Sequence, residues 1–272
     1  MPNEKQCPSV VVKTCGVQTV EAAAAATEAG ADVVGVIFAP SGRVIDVARA
    51  QEIARAIRVT QKGMGSNEMV EDHASDNSSE APMLTSDLHE RISRDSTTNE
   101  YFSKCYQHIF GQTRRRPLLA GVFQNQDVEY IISVARSVPL DLVQLHGSEP
   151  LDMARNIPVP VIKVFHVDDQ FSLDSNSDMF QTFYHSIILL DTKVGGTDQQ
   201  GGKGVSFDWS IARQVADKGV PFMMAGGLTA ENVAQAVAVG QPWGVDVSSG
   251  IETNKTKDPT KIRAFVNNAK CG

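Results

Sequence analysis

A cysteine ends the first apolar run of the sequence, two positions after a lysine. The run VVVKTCG passes from apolar residues to Lys13, Thr14 and Cys15 before Gly16. Because a strand alternates its faces, Lys13 and Cys15 point the same way, roughly 7 Å apart. A neighbouring cation lowers the pKa of a thiol, and a thiolate can act as a general base. The spacing predicts a reactive Cys15 with a lowered pKa, and the alternative is a small cysteine that fills the core.

Other apolar runs end in residues that suit acid–base chemistry or anion binding. Asp191 ends SIILLDT and is the candidate partner of Cys15, since two titratable groups facing one pocket suit acid and base roles. Arg43 follows the second run and suits a bidentate contact with a carboxylate or phosphate, with an exposed loop arginine as the alternative. His146 is interpreted as a structural hydrogen-bonding group rather than the base. The remaining polar candidates at the run ends are Gln144, Asp246, Ser248 and Ser249.

Glycine-rich turns after two later runs predict a phosphate site. Gly226 and Gly227 directly precede a helix-like segment, and the segment VSSG holds Ser248, Ser249 and Gly250. Glycines let the backbone approach an anion, and amide groups at a helix start point towards it. Glycine pairs also occur in tight turns without a ligand, so the phosphate interpretation depends on both segments together.

Eight short β-branched runs, alternating with helix-like segments, must position these residues. The runs cover residues 9–15, 31–38, 117–123, 140–146, 160–167, 186–192, 221–227 and 243–249. Most are apolar on both faces, as is typical of parallel strands covered by helices. They predict an α/β fold, a (β/α)8 TIM barrel in one domain of residues 1–272, and the GxGxxG signature of a Rossmann fold is missing. The active site of such a barrel lies at the carboxyl ends of the strands, where the candidates fall.

One interval breaks the alternation, because the second and third runs begin at residues 31 and 117. Within it, residues 61–113 are rich in Ser, Asn, Asp and Glu and poor in aliphatic residues. Such a composition buries too little apolar surface to offset the entropy of ordering the chain. We predict a low-complexity, largely disordered insertion between the second helix and the third strand, with a regulatory phosphoserine segment as the alternative. The arginines at 114–116 are interpreted as a solvated approach to the third strand.

Composition argues against several classes of function. The chain has 272 residues and a formal net charge of −7, which favours neither nucleic acid nor an anionic membrane as a partner. No apolar run reaches the roughly 20 residues of a membrane span, and MPNEKQCPSV lacks the pattern of a secretory signal. The four cysteines and six histidines have no metal-ligand spacing, so we expect no metal, no disulfide scaffold and a cytoplasmic location.

The motifs at these positions resemble those of the phosphoribosylanthranilate isomerase family. They are VKTCG, EAGADVVGVIFAPSGR, GVFQNQ, LDLVQLHG, LLDTKVGGT, FDW, AGGLTAENV and GVDVSSGIETNKTKDPTKI, in family order and over nearly the whole chain except the insertion. The chain is similar to the separate, single-function isomerases of some fungi. The resemblance implies a metal-free, cofactor-free barrel that converts phosphoribosylanthranilate to a carboxyphenylamino-deoxyribulose phosphate by an Amadori rearrangement. The chain departs from the family in a shorter FAPSGR loop and in DQQGGKG, which lengthens the loop after the sixth strand.

The resemblance also implies a role for each candidate residue. Cys15, in the K-x-C-G motif, would be the general base, and Asp191, which opens the D-x-x-x-G-G motif, the general acid. The implied substrate-binding residues are Arg43, Gln144 and Asp246, and the implied phosphate-binding residues are Gly195, Gly196, Gly226, Gly227, Ser248, Ser249 and Gly250. The partner is then a small phosphosugar–anthranilate substrate, with no nucleic acid or membrane, and a monomer is expected.

Two other interpretations stay open from the sequence. A metal-dependent phosphosugar barrel such as a ribulose-phosphate epimerase needs strand-end histidines and aspartates that this pattern lacks. A pseudoenzyme barrel would bind a phosphosugar or a protein partner without catalysis. The presence of both Cys15 and Asp191 favours the isomerase over the pseudoenzyme.

Overall fold

The predicted barrel is present in the computed structural model, which describes residues 10–59, 83–111, 116–168, 170–192 and 208–271. Eight parallel strands close into one barrel, in which β1 pairs with both β2 and β8. The strands are β1 (Val11–Thr14), β2 (Val33–Ile37), β3 (Leu118–Phe123), β4 (Leu142–Leu145), β5 (Val161–Val167), β6 (Ile187–Thr192), β7 (Phe222–Met224) and β8 (Gly244–Val247). Each of the eight predicted runs forms a strand, and the α/β barrel fold is confirmed.

Helices cover the outside of the barrel and one of its ends. They are α1 (Val20–Glu28), α2 (Val47–Val59), α3 (Thr85–Glu90), α4 (Thr98–Phe110), α5 (Val128–Ser137), α6 (Trp209–Asp217), α7 (Val233–Gly240) and α8 (Pro259–Cys271). Short 3-10 helices, Leu151–Asn156 and Ser177–Phe180, follow β4 and β5 in place of full helices. Side-chain caps begin several helices; Thr19, for example, accepts a hydrogen bond from the Ala22 amide at the start of α1.

The strands are buried on both faces, which explains their near-continuous apolar sequences. Every residue of β3 and β6 is buried, including Asp191 and Thr192 at the end of β6. The strand register aligns the polar ends with one another. Lys13 lies opposite Asp246, and His166 lies opposite Asp191. The register therefore collects charged and polar side chains at the carboxyl end of the barrel.

The insertion between α2 and β3 contains α3 and α4, so the prediction of a largely disordered segment is wrong for residues 83–111. Residues 60–82 and 112–115 lie outside the described part of the chain. Helix α4 begins with a capping box between Thr97 and Glu100 and joins the main core. Its buried residues are Tyr101, Phe102, Cys105, Tyr106 and Ile109. They recur at helical spacing, a local signal that the average composition of the insertion conceals.

Helix α4 lies across the amino-terminal end of the barrel. Tyr101 donates a hydrogen bond to the carbonyl oxygen of His185, 3.1 Å away and just before β6. Tyr106 donates to the carbonyl oxygen of Trp243, just before β8, and packs edge-on against the Trp243 ring. Ile109 reaches a small cavity lined by residues at the starts of β3 and β4 and just before β5. The insertion thus covers the end of the barrel opposite the predicted site.

Arg116 is buried rather than solvated, so that interpretation of it is wrong. Its guanidinium donates to both carboxylate oxygens of Asp141, over 2.7 and 2.9 Å. The same carboxylate accepts the Leu119 amide at 2.8 Å. The pair therefore ties the start of β3 to the residue just before β4, and burial is tolerated because the charge is matched.

Candidate active site

The carboxyl ends of the strands surround an open cavity, the kind of concave site in which proteins bind small molecules. Its wall includes the predicted site residues Cys15, Arg43, Gln144, Asp191, Gly226, Gly227, Asp246, Ser248 and Ser249. Gly250 is not part of this wall, and Gly195 and Gly196 lie outside the described residues. The fold therefore brings residues from distant parts of the sequence to one cavity.

Lys13, Cys15 and Asp246 form a buried group on the adjacent strands β1 and β8. Lys13 Nζ lies 2.8 Å from Asp246 Oδ2. The Lys13 ammonium also acts electrostatically on the Cys15 thiol, as expected for side chains on one strand face. Gly35 on β2 leaves room for both, since a Cβ at that position would lie 3.0 Å from Cys15 Sγ and 3.3 Å from Lys13 Cε.

Burial raises the pKa of the Cys15 thiol, so the predicted lowering of this pKa is wrong. Desolvation penalises the thiolate more than Lys13 stabilises it, and the nearby Asp246 carboxylate also disfavours a second negative charge. In the folded protein the positive charge of Lys13 is shared between the thiol and Asp246.

The pKa of Asp191, at the end of β6, is also raised. Burial raises the pKa of Asp191 to about 7, and repulsion from the Asp246 carboxylate acts in the same direction. The Thr192 amide donates to Asp191 Oδ1 over 2.8 Å, and His146 Nε2 lies 3.5 Å from Oδ2. A carboxyl group with this pKa holds a proton in a large fraction of molecules at neutral pH. Asp191 is therefore suited to general-acid chemistry.

His146 and Gln144 support Asp191 through a hydrogen-bonded pair. Burial lowers the pKa of His146 to about 3, with a further contribution from His166, so the imidazole is neutral at pH 7. Gln144 Nε2 lies 3.0 Å from His146 Nδ1 and donates to it, which leaves the ring proton on the Nε2 that faces Asp191. This agrees with the interpretation of His146 as a hydrogen-bonding group.

The loops after β7 and β8 contribute glycines and serines to the wall. Gly226 has φ of +93°, and a Cβ there would lie 2.0 Å from Thr192 Oγ1, so only glycine fits. Gly227 follows with φ of +64°. Gly250 instead allows close packing between the loops after β7 and β8, since its Cβ would lie 1.9 Å from the Leu228 carbonyl oxygen.

Arg43 reaches the cavity wall with its guanidinium already paired. Its Nε and Nη2 donate to the two carboxylate oxygens of Glu252 over 2.6 and 2.9 Å. Glu252 belongs to a two-stranded hairpin after β8, formed by β9 (Glu252–Thr253) and β10 (Thr256–Lys257). Lys257 from the same hairpin donates to Ser248 and Glu252. Sequence reasoning missed Glu252 and Lys257, although the Asn in ETNKTK is a signal for such a turn.

The described ranges contain neither a metal-binding cluster nor a membrane-spanning helix. These ranges hold no group of three or more His, Cys, Asp or Glu side chains that could hold a metal ion. None of the helices described above is long and apolar enough to cross a bilayer.

Comparison with known proteins identifies what the chain is similar to. The family model for N-(5′-phosphoribosyl)anthranilate isomerase matches residues 75–268. An N-(5′-phosphoribosyl)anthranilate isomerase of Roseiflexus castenholzii is 36% identical over 94% of this chain and 96% of its own length. A solved phosphoribosylanthranilate isomerase in complex with reduced 1-(o-carboxyphenylamino)-1-deoxyribulose 5-phosphate is 29% identical, with a TM-score of 0.63 over 97% of this chain and 100% of the other.

The chain also matches one part of much longer proteins. A multifunctional tryptophan biosynthesis protein of Phycomyces blakesleeanus is 38% identical over 99% of this chain, which spans 34% of that protein. The chain spans about a third to a half of the first curated relatives that it matches. The match to the family model and the full-length match to the Roseiflexus enzyme together show that the chain belongs to the phosphoribosylanthranilate isomerase family.

Proposed function

We propose that the chain is an N-(5′-phosphoribosyl)anthranilate isomerase of tryptophan biosynthesis. It would convert phosphoribosylanthranilate to 1-(2-carboxyphenylamino)-1-deoxyribulose 5-phosphate by general acid–base catalysis. The observation that carries the proposal is a thiol and a protonatable carboxyl group, Cys15 and Asp191, on the wall of one cavity. Family membership and the product-analogue complex of a similar enzyme support the same substrate class.

Asp191 would act first, as the general acid. Its proton passes to the ring oxygen of the furanose, the bond between that oxygen and C1 breaks, and the nitrogen lone pair forms the C1=N bond of an iminium ion. The raised pKa of Asp191, about 7, supports this role because the proton is available yet readily lost. The resulting aspartate then lies near a cationic substrate, which stabilises both charges.

Cys15 would act second, as the general base. The thiolate removes the proton from C2, and the C–H electrons form the C1=C2 bond and neutralise the iminium nitrogen. The enolamine then becomes the ketone as the C2 hydroxyl loses its proton and C1 gains one. The positive charges of Lys13 and of the iminium ion both favour the thiolate at this step, which offsets the cost of burial.

The remaining wall residues would bind the two ends of the substrate. The backbone of Gly226 and Gly227, together with Ser248 and Ser249, supports phosphate binding, and the ammonium of Lys257 lies 2.8 Å from the Ser248 carbonyl oxygen. Arg43 would face the anthranilate carboxylate or orient the sugar.

Two buried oxygens of the site are available as acceptors for sugar hydroxyls. Gln144 Oε1 and Asp246 Oδ1 have no hydrogen-bond partner among the described residues. Both side chains line the cavity. Buried polar atoms are normally satisfied, so such atoms on a cavity wall support contact with a ligand.

The test uses the decay of phosphoribosylanthranilate fluorescence on conversion, with freshly generated substrate. The parent protein should convert it rapidly, and Cys15→Ser should lose activity by about 10²–10⁴-fold because it lacks the base. Cys105→Ser is the matched control, since Cys105 is equally buried but lies on α4 at the other end of the barrel. An inactive parent would instead favour the pseudoenzyme, and full activity in Cys15→Ser would refute Cys15 as the base.

A cytoplasmic monomer is the form that we propose for the enzyme. A thiol that must act as a base stays reduced in the cytoplasm, which supports that location. The exposed large hydrophobic residues in the described part of the chain lie apart in sequence and form no run: Val44, Leu84, Tyr130 and Val239. Light scattering coupled to gel filtration tests the monomer directly, and a mass of twice 29.4 kDa would contradict it.

A further inference from the structure

A row of hydrogen-bonded charged side chains lies behind the cavity wall and connects Arg43 to Ser248, two residues of that wall. Arg43 donates two bonds to Glu252, and Lys257 Nζ lies 2.7 Å from Glu252 Oε1. Lys257 Nζ also lies 2.8 Å from the carbonyl oxygen of Ser248 and 3.3 Å from its hydroxyl oxygen. Arg43 and Ser248 line the cavity, whereas Glu252 and Lys257 are not part of its wall.

The two residues behind the wall are the more deeply buried ones. The side chains of Lys257 and Glu252 are 3% and 8% exposed, against 24% for Arg43. A buried ion pair gives little net stability, because its Coulomb energy is largely spent on removing both charges from water. Such a pair is better explained by the orientation that it gives to the side chains around it. Here it places one carboxylate between a cation of the wall and the loop after β8.

The hairpin that carries Glu252 and Lys257 is built for a fixed register. Glu252 pairs directly with Lys257 across the two short strands. Asn254 and Lys255 form the two-residue turn with φ of +52° and +65°, the signs required by the tight turns of short hairpins. The backbone therefore holds the two charged side chains next to each other before any ligand is involved.

The contact with Glu252 restricts Arg43 to one orientation. Arginine has several rotatable bonds, and a two-point contact through Nε and Nη2 fixes the plane of its guanidinium. Nη1 is not part of this contact. Arg43 also packs closely against the start of the first loop, since a Cβ on Gly16 would lie 2.8 Å from Arg43 Cδ. A guanidinium held on two sides presents its remaining donors at a defined place on the wall.

We propose that Glu252 is a positioning residue, which orients Arg43 for an anionic group of the substrate. The proposal rests on the proposed function for the identity of the ligand. Glu252 would contribute to substrate binding rather than to proton transfer, because its carboxylate hydrogen-bonds to Arg43 and Lys257 and not to Cys15 or Asp191. Loss of Glu252 would therefore raise KM and leave kcat within a few-fold of the parent value.

The test is a double-mutant cycle on ligand affinity, with Glu252→Gln, Arg43→Gln and the double variant. Reduced 1-(o-carboxyphenylamino)-1-deoxyribulose 5-phosphate is the probe, titrated by calorimetry into each protein. We expect Glu252→Gln to weaken binding by about 10-fold or more, as for loss of a charged hydrogen bond. The double variant should bind no more weakly than Arg43→Gln alone, because Glu252 acts through Arg43. Additive losses, or unchanged affinity in Glu252→Gln, would overturn the proposal.

A matched control separates positioning from general loss of charge or stability. Glu28→Gln removes a carboxylate that pairs with Arg263 over 3.1 Å on the exposed surface, and should leave affinity, KM and kcat unchanged. Turnover of phosphoribosylanthranilate by the parent protein is measured separately. If the parent protein binds the probe but does not convert the substrate, the proposed function is refuted and the double-mutant cycle still tests the role of Glu252. If the parent protein does not bind the probe, the positioning role is overturned as well.

Discussion

The two ends of the barrel are built from different chemistry. At the carboxyl end, Cys15, Asp191 and Asp246 line an open cavity, and the buried ammonium of Lys13 pairs with Asp246. At the amino-terminal end, α4 places Tyr101, Phe102 and Tyr106 against the starts of the strands, next to a much smaller cavity. The carboxyl end buries charges that are incompletely neutralised, whereas the amino-terminal end buries aromatic surface and the matched Arg116–Asp141 ion pair.

This difference indicates where stability and activity are determined. Burying charges that are not fully neutralised costs folding free energy, and the shifted pKa of Asp191 is a measure of that cost. The aromatic residues buried at the opposite end stabilise the folded protein and do not contact the cavity. Substitutions at the carboxyl end should therefore change activity most, and substitutions in α4 should change stability most.

The largest expected effect is on activity, from Asp191→Asn. The amide keeps the shape of the side chain but has no proton to donate, so kcat should fall by about 10²–10⁴-fold. Because the buried carboxyl group is costly when ionised, the variant should be as stable as the parent at pH 8 or more so. Steady-state kinetics and urea unfolding measure the two quantities. A variant that keeps its kcat would remove Asp191 from the role of general acid.

The second effect is on stability, from Phe102→Ala in α4. Phe102 is 1% exposed, and truncation of a fully buried aromatic side chain costs about 3–5 kcal/mol. Urea unfolding should show this loss, while kcat of the folded protein at 20 °C stays near the parent value. Gln107→Ala is the control, because Gln107 is exposed on the same helix. A marked fall in kcat of folded Phe102→Ala would show that the two ends are coupled.

The sequence could predict one end of the barrel much better than the other. The strands and most site residues were accessible because apolar runs mark the strands and barrel geometry gathers their ends. Helix α4 was missed because the average polarity of the insertion concealed the spacing of Tyr101, Cys105 and Ile109. The pKa of Cys15 was predicted in the wrong direction because desolvation and Asp246 are properties of the fold. The contact between Arg43 and Glu252 joins residues far apart in the chain, so spacing alone could not reveal it.

The third effect is on the pH dependence of kcat/KM, which should be bell-shaped. Below the pKa of Asp191, about 7, both catalytic groups are protonated and no thiolate is available, so activity should fall about tenfold per pH unit. Above the pKa of Cys15, raised by burial, both groups are deprotonated and no acid remains. Between these two pKa values, Asp191 and Cys15 share one proton. The productive form, with Asp191 protonated and Cys15 ionised, is a constant fraction of this singly protonated protein. Initial rates from pH 5.5 to 10 test this, and activity that does not fall between pH 7 and pH 5.5 would contradict the raised pKa of Asp191.

The smallest expected effect concerns the start of α4. Thr97→Ala removes the hydroxyl that accepts a hydrogen bond from the Glu100 amide, and so breaks the capping box. This change should lower the free energy of unfolding by about 1 kcal/mol. For a chain of this size, that loss lowers Tm by about 2–4 °C. Thr19→Ala removes the corresponding cap of α1, a helix outside the insertion, and should have a similar effect. Equal shifts in Tm would show that α4 unfolds together with the barrel as one cooperative unit. If only Thr19→Ala lowers Tm, α4 unfolds before the barrel does. The amino-terminal end would then contribute less to stability than its buried aromatic residues indicate.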